Sequence, residues 1–221
     1  MSEHAEQSGS DAGVPSPARA DAAVSDQRLV RGARTRRTIA RHAVDVASLE
    51  GLNGLSIGRL ATDLGLSKSG IQTLFRTKEN LQLAAVESAR QQFTDAVIHP
   101  VQTVPEGAAR LRALTERWIS YVETPLFAGG CFWAANLPDF DSRPGKVRDA
   151  LFHHHQNWLA LIAGELRHAV ETGEIADLDV DLVAFQIDAV LAAANTAVRL
   201  GDHDAVNKVR RVVDGFLTPR R

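Results

Sequence analysis

Past residue 34 the apolar side chains recur with a helical period, and no segment shows the sustained alternation of a strand. Ile39, Ala43, Val46 and Ala47 fall at i, i+4, i+7 and i+8, which predicts a helix from Arg34 to Leu49. Gly51 and Gly54 break it. Ser56 is a good N-cap for a short second helix with Ile57, Leu60, Ala61 and Leu64 on one face, and Gly65 can take the left-handed conformation that ends it. Ser67 caps a third helix whose inner face is Ile71, Leu74 and Phe75, and Thr77 caps a fourth that runs to Ile98. Further helices are expected over 106–122, 144–172, 179–200 and 203–217, with a short irregular one at 131–136 between glycines and prolines. The predicted class is all-α.

Composition supports that reading. Aromatics are only 5% of the 221 residues, and alanine and leucine, both strong helix formers, supply most of the apolar surface. A single cysteine excludes an intrachain disulfide framework or a cysteine-rich zinc site. No apolar run approaches the roughly 18 residues of a membrane span. Residues 1–13 lack the basic and apolar regions of a secretory leader, so a cytoplasmic protein is expected. Residues 1–27 are rich in Ser, Ala, Gly, Pro and acid and read as a disordered tail. The net charge of -2 conceals a basic stretch: residues 28–90 hold eleven basic and five acidic side chains. Such a stretch in an otherwise acidic chain points to a polyanion, nucleic acid first.

The candidate chemistry lies in Ser56–Phe75, SIGRLATDLGLSKSGIQTLF. A short helix, a glycine turn and a second helix make a helix-turn-helix. Ala61 is small where two helices cross, while Leu60, Leu64, Ile71 and Leu74 fill the wedge between them. The other face of the third helix carries Lys68, Ser69, Gln72, Thr73 and Arg76, which suits a helix lying in a major groove of double-stranded DNA. Arg34, Arg36, Arg37, Ser56, Ser67 and Lys78 are candidate contacts to the phosphate backbone around it.

These residues resemble the TetR family of bacterial transcription regulators. The resemblance is carried by Arg34 to Arg37, Ile39, Gly51, Leu55, Ile57, Leu60-Ala61, Leu64 to Lys68, Phe75, Lys78-Glu79 and Leu81. It covers residues 34–90, and a weaker likeness runs through 126–148 and 173–181. The family usually has Tyr and His where this chain has Gln72 and Thr73, and often Pro in place of Arg76. Losing the tyrosine removes one phosphate contact, and Gln72 can read adenine bidentately. The resemblance implies a C-terminal helical domain that binds a small ligand and dimerises through its last two long helices. The expected architecture is therefore an N-terminal three-helix helix-turn-helix domain over 28–77 and a regulatory, dimerising domain over 78–221.

Within the second domain, Val183, Ile187, Val190, Leu191, Ala194 and Val198 form a stripe that, with Val206, Val209, Val213, Phe216 and Leu217, would build a four-helix interface between two copies. The alternative is that the stripe packs inside one chain. Trp118, Tyr121, Phe132, Trp133, Phe140 and Trp158 are candidate pocket residues, with Asn136, Gln156, Asn195 and His154 as polar ones. In a helical domain such aromatics are more often plain core. Little clustered charge accompanies them, which favours a neutral or apolar effector. His153-His154-His155 point about 100° apart on a helix and do not converge on one metal ion. Cys131, beside glycines and aromatics, reads as a packing residue before a redox sensor. Gly65–Gly70 lacks the Lys and Ser/Thr of a phosphate loop. No metal and no cofactor is expected.

The expected function is a homodimeric repressor that binds a palindromic operator and is released by a small molecule. One alternative is a protein-interaction module that no longer reads DNA. A helical-bundle enzyme is the other, and it would require a convergent acid–base or metal constellation that the chain lacks.

Overall fold

The computed structural model describes residues 17–218. It has nine α-helices among them and no strand. These are α1 (Pro17–Glu50), α2 (Ile57–Leu64), α3 (Lys68–Phe75), α4 (Lys78–Phe93), α5 (Ala108–Glu123), α6 (Phe132–Phe140), α7 (Lys146–Glu171), α8 (Val180–Arg199) and α9 (Ala205–Phe216). The all-α expectation holds, and apart from the start of α1 the helix boundaries fall within a few residues of those read from periodicity and caps.

The caps form as their chemistry requires. Ser56, Ser67, Thr77 and Asp179 each accept a hydrogen bond from the amide three residues on. Gly65 ends α2 in the left-handed region at φ 63°. Arg76, which ends α3, sits at φ 65° and ψ -50°, the one residue other than glycine with positive φ among those described. The Thr77 amide bonds the Phe75 carbonyl at 2.7 Å across it, so the backbone reverses within three residues.

The chain forms two units by its contacts, Met1–Thr35 and Arg36–Arg221. In the first, α1 is already helical from Pro17, earlier than the tail expected over 1–27 would allow; the alanines at 18, 20, 22 and 23 favour helix. The part of that tail over 1–16 lies outside the described residues. Thr35 Oγ1 donates back to the Arg31 carbonyl at 3.0 Å.

The second unit holds a head, residues 36–77, and a body that follows. Ile39, Ala43, Val44, Leu52, Leu55, Leu60, Ile71 and Phe75 close the head core. The body packs α4, α5, α7 and α8 around Leu111, Leu114, Trp118, Leu151, Ile162, Leu166 and Ile187. The two share a seam at the end of α1. There the Gly129 backbone lies so close to Ser48 that a Cβ would stand 2.0 Å from the Ser48 carbonyl oxygen. The Gly129 amide donates to Ser48 Oγ at 2.8 Å, and the Ala128 amide to Asp45 Oδ1 at 3.3 Å.

The stripe predicted for the dimer interface turns inward. Val183, Ile187, Leu191, Ala194, Val198, Val209 and Val213 are buried within the single chain, and Val190 is half-buried. They are the contact between α8 and α9 and between α8 and α7. Helical period is shared by both faces of α8, so spacing alone does not say which face the rest of the chain covers. The outward row is Leu182, Phe185, Ala189, Ala193 and Thr196, with Phe185 64% and Leu182 52% exposed. This apolar surplus on both faces also makes α8 long and apolar enough to cross a membrane by composition, the single such helix among the described residues.

Candidate functional site

The helix-turn-helix is built as its spacing predicts. Ser56 and Ser67 spend their hydroxyls on the first amides of α2 and α3, at 3.1 Å each. Lys68, Ser69, Gln72, Thr73 and Arg76 are all exposed along one side of α3. Thr73 Oγ1 donates to the Ser69 carbonyl at 2.8 Å, and the Lys68 stem lies over Gly58 of α2. Arg37 is exposed on α1, and Arg34, in the first unit, is exposed as well.

Two predicted phosphate contacts are used inside the chain instead. Arg36 Nη1 donates to the Leu74 carbonyl at 2.7 Å, and its guanidinium lies 4.4 Å over the Phe75 ring. It therefore ties α1 to the exposed carbonyl end of α3. Lys78 Nζ donates to the Asn53 carbonyl at 2.6 Å. Arg36 thus braces α3 against α1, and Lys78 ties the start of α4 to the turn after α1. Nearby, Arg59 pairs with Glu50 and reaches Asp63 at 3.6 Å, so part of the basic stretch is neutralised locally.

The body encloses a cavity of about 220 Å³ between α4, α5, α6, α7 and α8. Of the predicted pocket residues, Trp118, Trp133, His154 and Trp158 line it. Tyr121, Phe132 and Phe140 are buried but stand behind the wall. Tyr121 accepts the Phe132 amide at 3.3 Å and packs edge-on to Phe93 and Phe127. Phe93 is the aromatic the sequence reading missed: its ring centroid is 5.3–5.4 Å from those of Tyr121, Trp133 and Trp158. Helix α4 passes directly into a π-helical turn at Thr94–Ile98, and Thr94 and Ile98 also line the wall. Such turns accompany functional sites often.

Of the expected polar residues Asn195 and His154 line the cavity, and Asn136 and Gln156 do not. Arg90, Cys131, His155, Asn157, Asp188 and Asn195 share the wall. His155 Nε2 meets Asp188 at 2.8 Å, and this carboxylate raises the imidazole above its ordinary value. Burial instead lowers His154. Arg90 holds Glu87 at 2.6 Å, which keeps that carboxyl below its ordinary value. Burial pushes both the Cys131 thiol and the Tyr121 hydroxyl up. A raised thiol is protonated at neutral pH and therefore slow to oxidise. Among the described residues no three His, Cys, Asp or Glu side chains gather as a metal site.

Asn136 does not line the cavity. It is buried in the seam, where its Oδ1 accepts the Leu52 amide at 2.6 Å and its Nδ2 donates to the carbonyls of Phe132 and Ala47. Gln82 of α4 adds a bond to the Leu52 carbonyl at 2.9 Å. Helix α6 thus presents Trp133, Ala134 and Leu137 to the cavity and, on the neighbouring face, Asn136 to the end of α1 and the turn that follows it.

Residues 107–213 match the model of the tetracyclin repressor-like C-terminal domain, and the helix-turn-helix of α2 and α3 precedes them. Over residues 107–213 the chain carries the TetR family's C-terminal domain. Solved TetR-family structures share its fold. A regulator from Chloroflexus aurantiacus is 23% identical, covers 84% of this chain and 95% of its own, and has a TM-score of 0.78. A transcriptional regulator from Saccharomonospora viridis in complex with choline is 22% identical, covers 83% of this chain and 95% of its own, with a TM-score of 0.71. AibR in complex with isovaleryl coenzyme A and operator DNA is 20% identical, covers 84% of this chain and 99% of its own, with a TM-score of 0.67. At these identities the likeness is one of fold. Among curated protein sequences none matches. A helix-turn-helix followed by a TetR-type C-terminal domain supports a transcriptional regulator.

Proposed function

We propose that the protein is a cytoplasmic repressor that binds a palindromic operator as a homodimer and leaves it when a small molecule fills the body cavity. Residues 36–77 are its reading head and the body is its regulatory and dimerising part. The observation that carries this reading is α6, which serves the cavity with one face and holds the head through Asn136 with the next. A ligand that repositions α6 repositions the end of α1, and with it the spacing of two reading helices about 34 Å apart on DNA. The ligand must bind the released state more tightly than the DNA-bound one, otherwise it shifts nothing.

Lys68, Ser69, Gln72, Thr73 and Arg76 meet the major groove, and Arg37 meets the backbone beside it. Two copies associate through the exposed row of α8, Leu182, Phe185, Ala189, Ala193 and Thr196, because an apolar row of this kind is rarely left to water. AibR, whose structure holds both an acyl coenzyme A and operator DNA, supports a fold able to carry both partners.

The test is selection of bound genomic fragments by the purified protein, followed by titration of the winner at two salt concentrations. An enriched palindrome, bound by a dimer far more tightly than random DNA, is the expected result. Weak binding to every sequence, steeply dependent on salt, would overturn the reading.

A further inference from the structure

We infer that the body cavity selects a small molecule with an aromatic or branched apolar body and an sp² oxygen, a carboxylate or a carbonyl, and discriminates against organic cations and bare hydrocarbons. This names the effector class for the ligand-controlled reading above and rests on it.

The walls set the body of the ligand. Phe93, Trp118, Trp133 and Trp158 surround a space of about 220 Å³, small for a ligand cavity, so one ring or a short branched chain fills it. The polar inventory sets the head. Asn195 is 7% exposed; its Oδ1 is taken by the Cys131 amide at 3.3 Å, and its Nδ2 makes no hydrogen bond within the protein. Trp133 Nε1 is buried with no acceptor. Both groups are donors; Trp133 Nε1 is fully buried, whereas Asn195 Nδ2 keeps open surface at the cavity wall, where an acceptor can reach it.

Aromatic walls also attract cations. Two features of this cavity oppose that choice. Arg90 is paired with Glu87 and offers the wall only the remaining N–H donors of its guanidinium, which do not attract a cation. The one wall carboxylate, Asp188, already receives His155 and is not offered to a guest. An oxygen acceptor satisfies Asn195 Nδ2 at the wall, meets the donor edge of Arg90 and leaves the His155–Asp188 pair whole. A hydrocarbon fills the space but leaves both donors unpaired. The absence of clustered charge in the sequence suggested a neutral or apolar effector; the unpaired donors refine that to an oxygen-bearing one.

The chain has three tryptophans and all three line the cavity, so its intrinsic emission reports on this site. The full-length protein is titrated with phenylacetate, phenylacetone, benzyltrimethylammonium and toluene. At least one oxygen-bearing probe is expected to give saturable quenching at least tenfold tighter than toluene or the cation, and the pair of oxygen probes separates carboxylate from carbonyl. Asn195→Asp keeps an oxygen for the Cys131 amide but replaces the donor with a charge, and should weaken phenylacetate at least tenfold. Trp133→Phe keeps a ring, removes the N–H, and should weaken the oxygen probes about threefold or more. Equal binding of toluene, tighter binding of the cation, or unchanged affinity in both variants would overturn the class while leaving a ligand cavity in place. No saturable response to any of the four would overturn the cavity's role as well. An oxygen probe that binds as expected but leaves operator affinity unchanged would keep the class and sink the coupling to DNA.

Discussion

The reading head and the body cavity treat their polar side chains in opposite ways. On α3, Lys68, Ser69, Gln72 and Thr73 project into solvent, and what they lack is a partner that arrives from outside. Around the cavity His155 pairs with Asp188 and Arg90 with Glu87, while Asn195 Nδ2 and Trp133 Nε1 are donors without a partner in the protein. An exposed polar face costs little to keep and leaves the choice of partner open. An enclosed one must be satisfied group by group, so the exceptions carry information. The seam lies between these regimes: Asn136 is buried as completely as any core residue and binds only backbone.

The sharpest break would come at the outer face of α8. Phe185→Glu places a charge in the middle of the exposed apolar row. Dimer dissociation should rise at least 100-fold, about 3 kcal/mol, with little change in monomer melting. Analytical ultracentrifugation checks it, and an unchanged dimer would move the interface elsewhere. Next is the seam. Asn136→Ala leaves the Leu52 amide without an acceptor and opens a small void, which should cost about 2–3 kcal/mol in urea unfolding. The surviving protein should bind its effector normally yet respond to it poorly in operator release.

Gln72→Ala should cost about 1–3 kcal/mol on the operator and little on random DNA, measured by titration on both. An equal loss on both would make Gln72 a backbone contact. Arg36 and Arg37 form a paired test of head against surface. Arg36→Ala should lower stability by about 1 kcal/mol, since it removes the bond to the Leu74 carbonyl and the stacking on Phe75. Arg37→Ala should leave melting unchanged and weaken DNA binding with a shallower salt slope.

The smallest effect concerns pH. His155 is raised above its unfolded value by Asp188, so the pair's contribution to stability is full below about pH 6.5 and fades as pH rises through the raised value. Burial lowers His154, whose effect has the opposite sign and erodes stability as pH falls below about 6.5. Asp188→Asn should therefore depress Tm most near pH 6 and least near pH 8 in a series of melts. A difference independent of pH would mean that His155 carries no charge in the pair.

Much of the head was legible because its determinants are local. N-cap serines, the left-handed Gly65 and the apolar spacing of α2 and α3 act within a few residues of one another, so the motif and its exposed face follow from the chain itself. Arg36 was misread because it sits one position from a true surface arginine, and only the packed head puts it against Phe75. In the body the aromatic content correctly marked a pocket-bearing region, and Trp118, Trp133, His154 and Trp158 do line the cavity. Asn136, Phe132 and Phe140 share their helix with the wall residues but face the seam or the core.

What the amino-acid order determined by itself was the set of helices, their caps, the helix-turn-helix and the basic stretch around it, because these rest on contacts between residues three or four apart. Which face of α8 is core, which aromatic closes the cavity and which asparagine joins body to head were decided only by the tertiary structure. Helical period says that two residues share a face. It carries no information about what that face meets, and burial against a partner distant in sequence is what assigns each role.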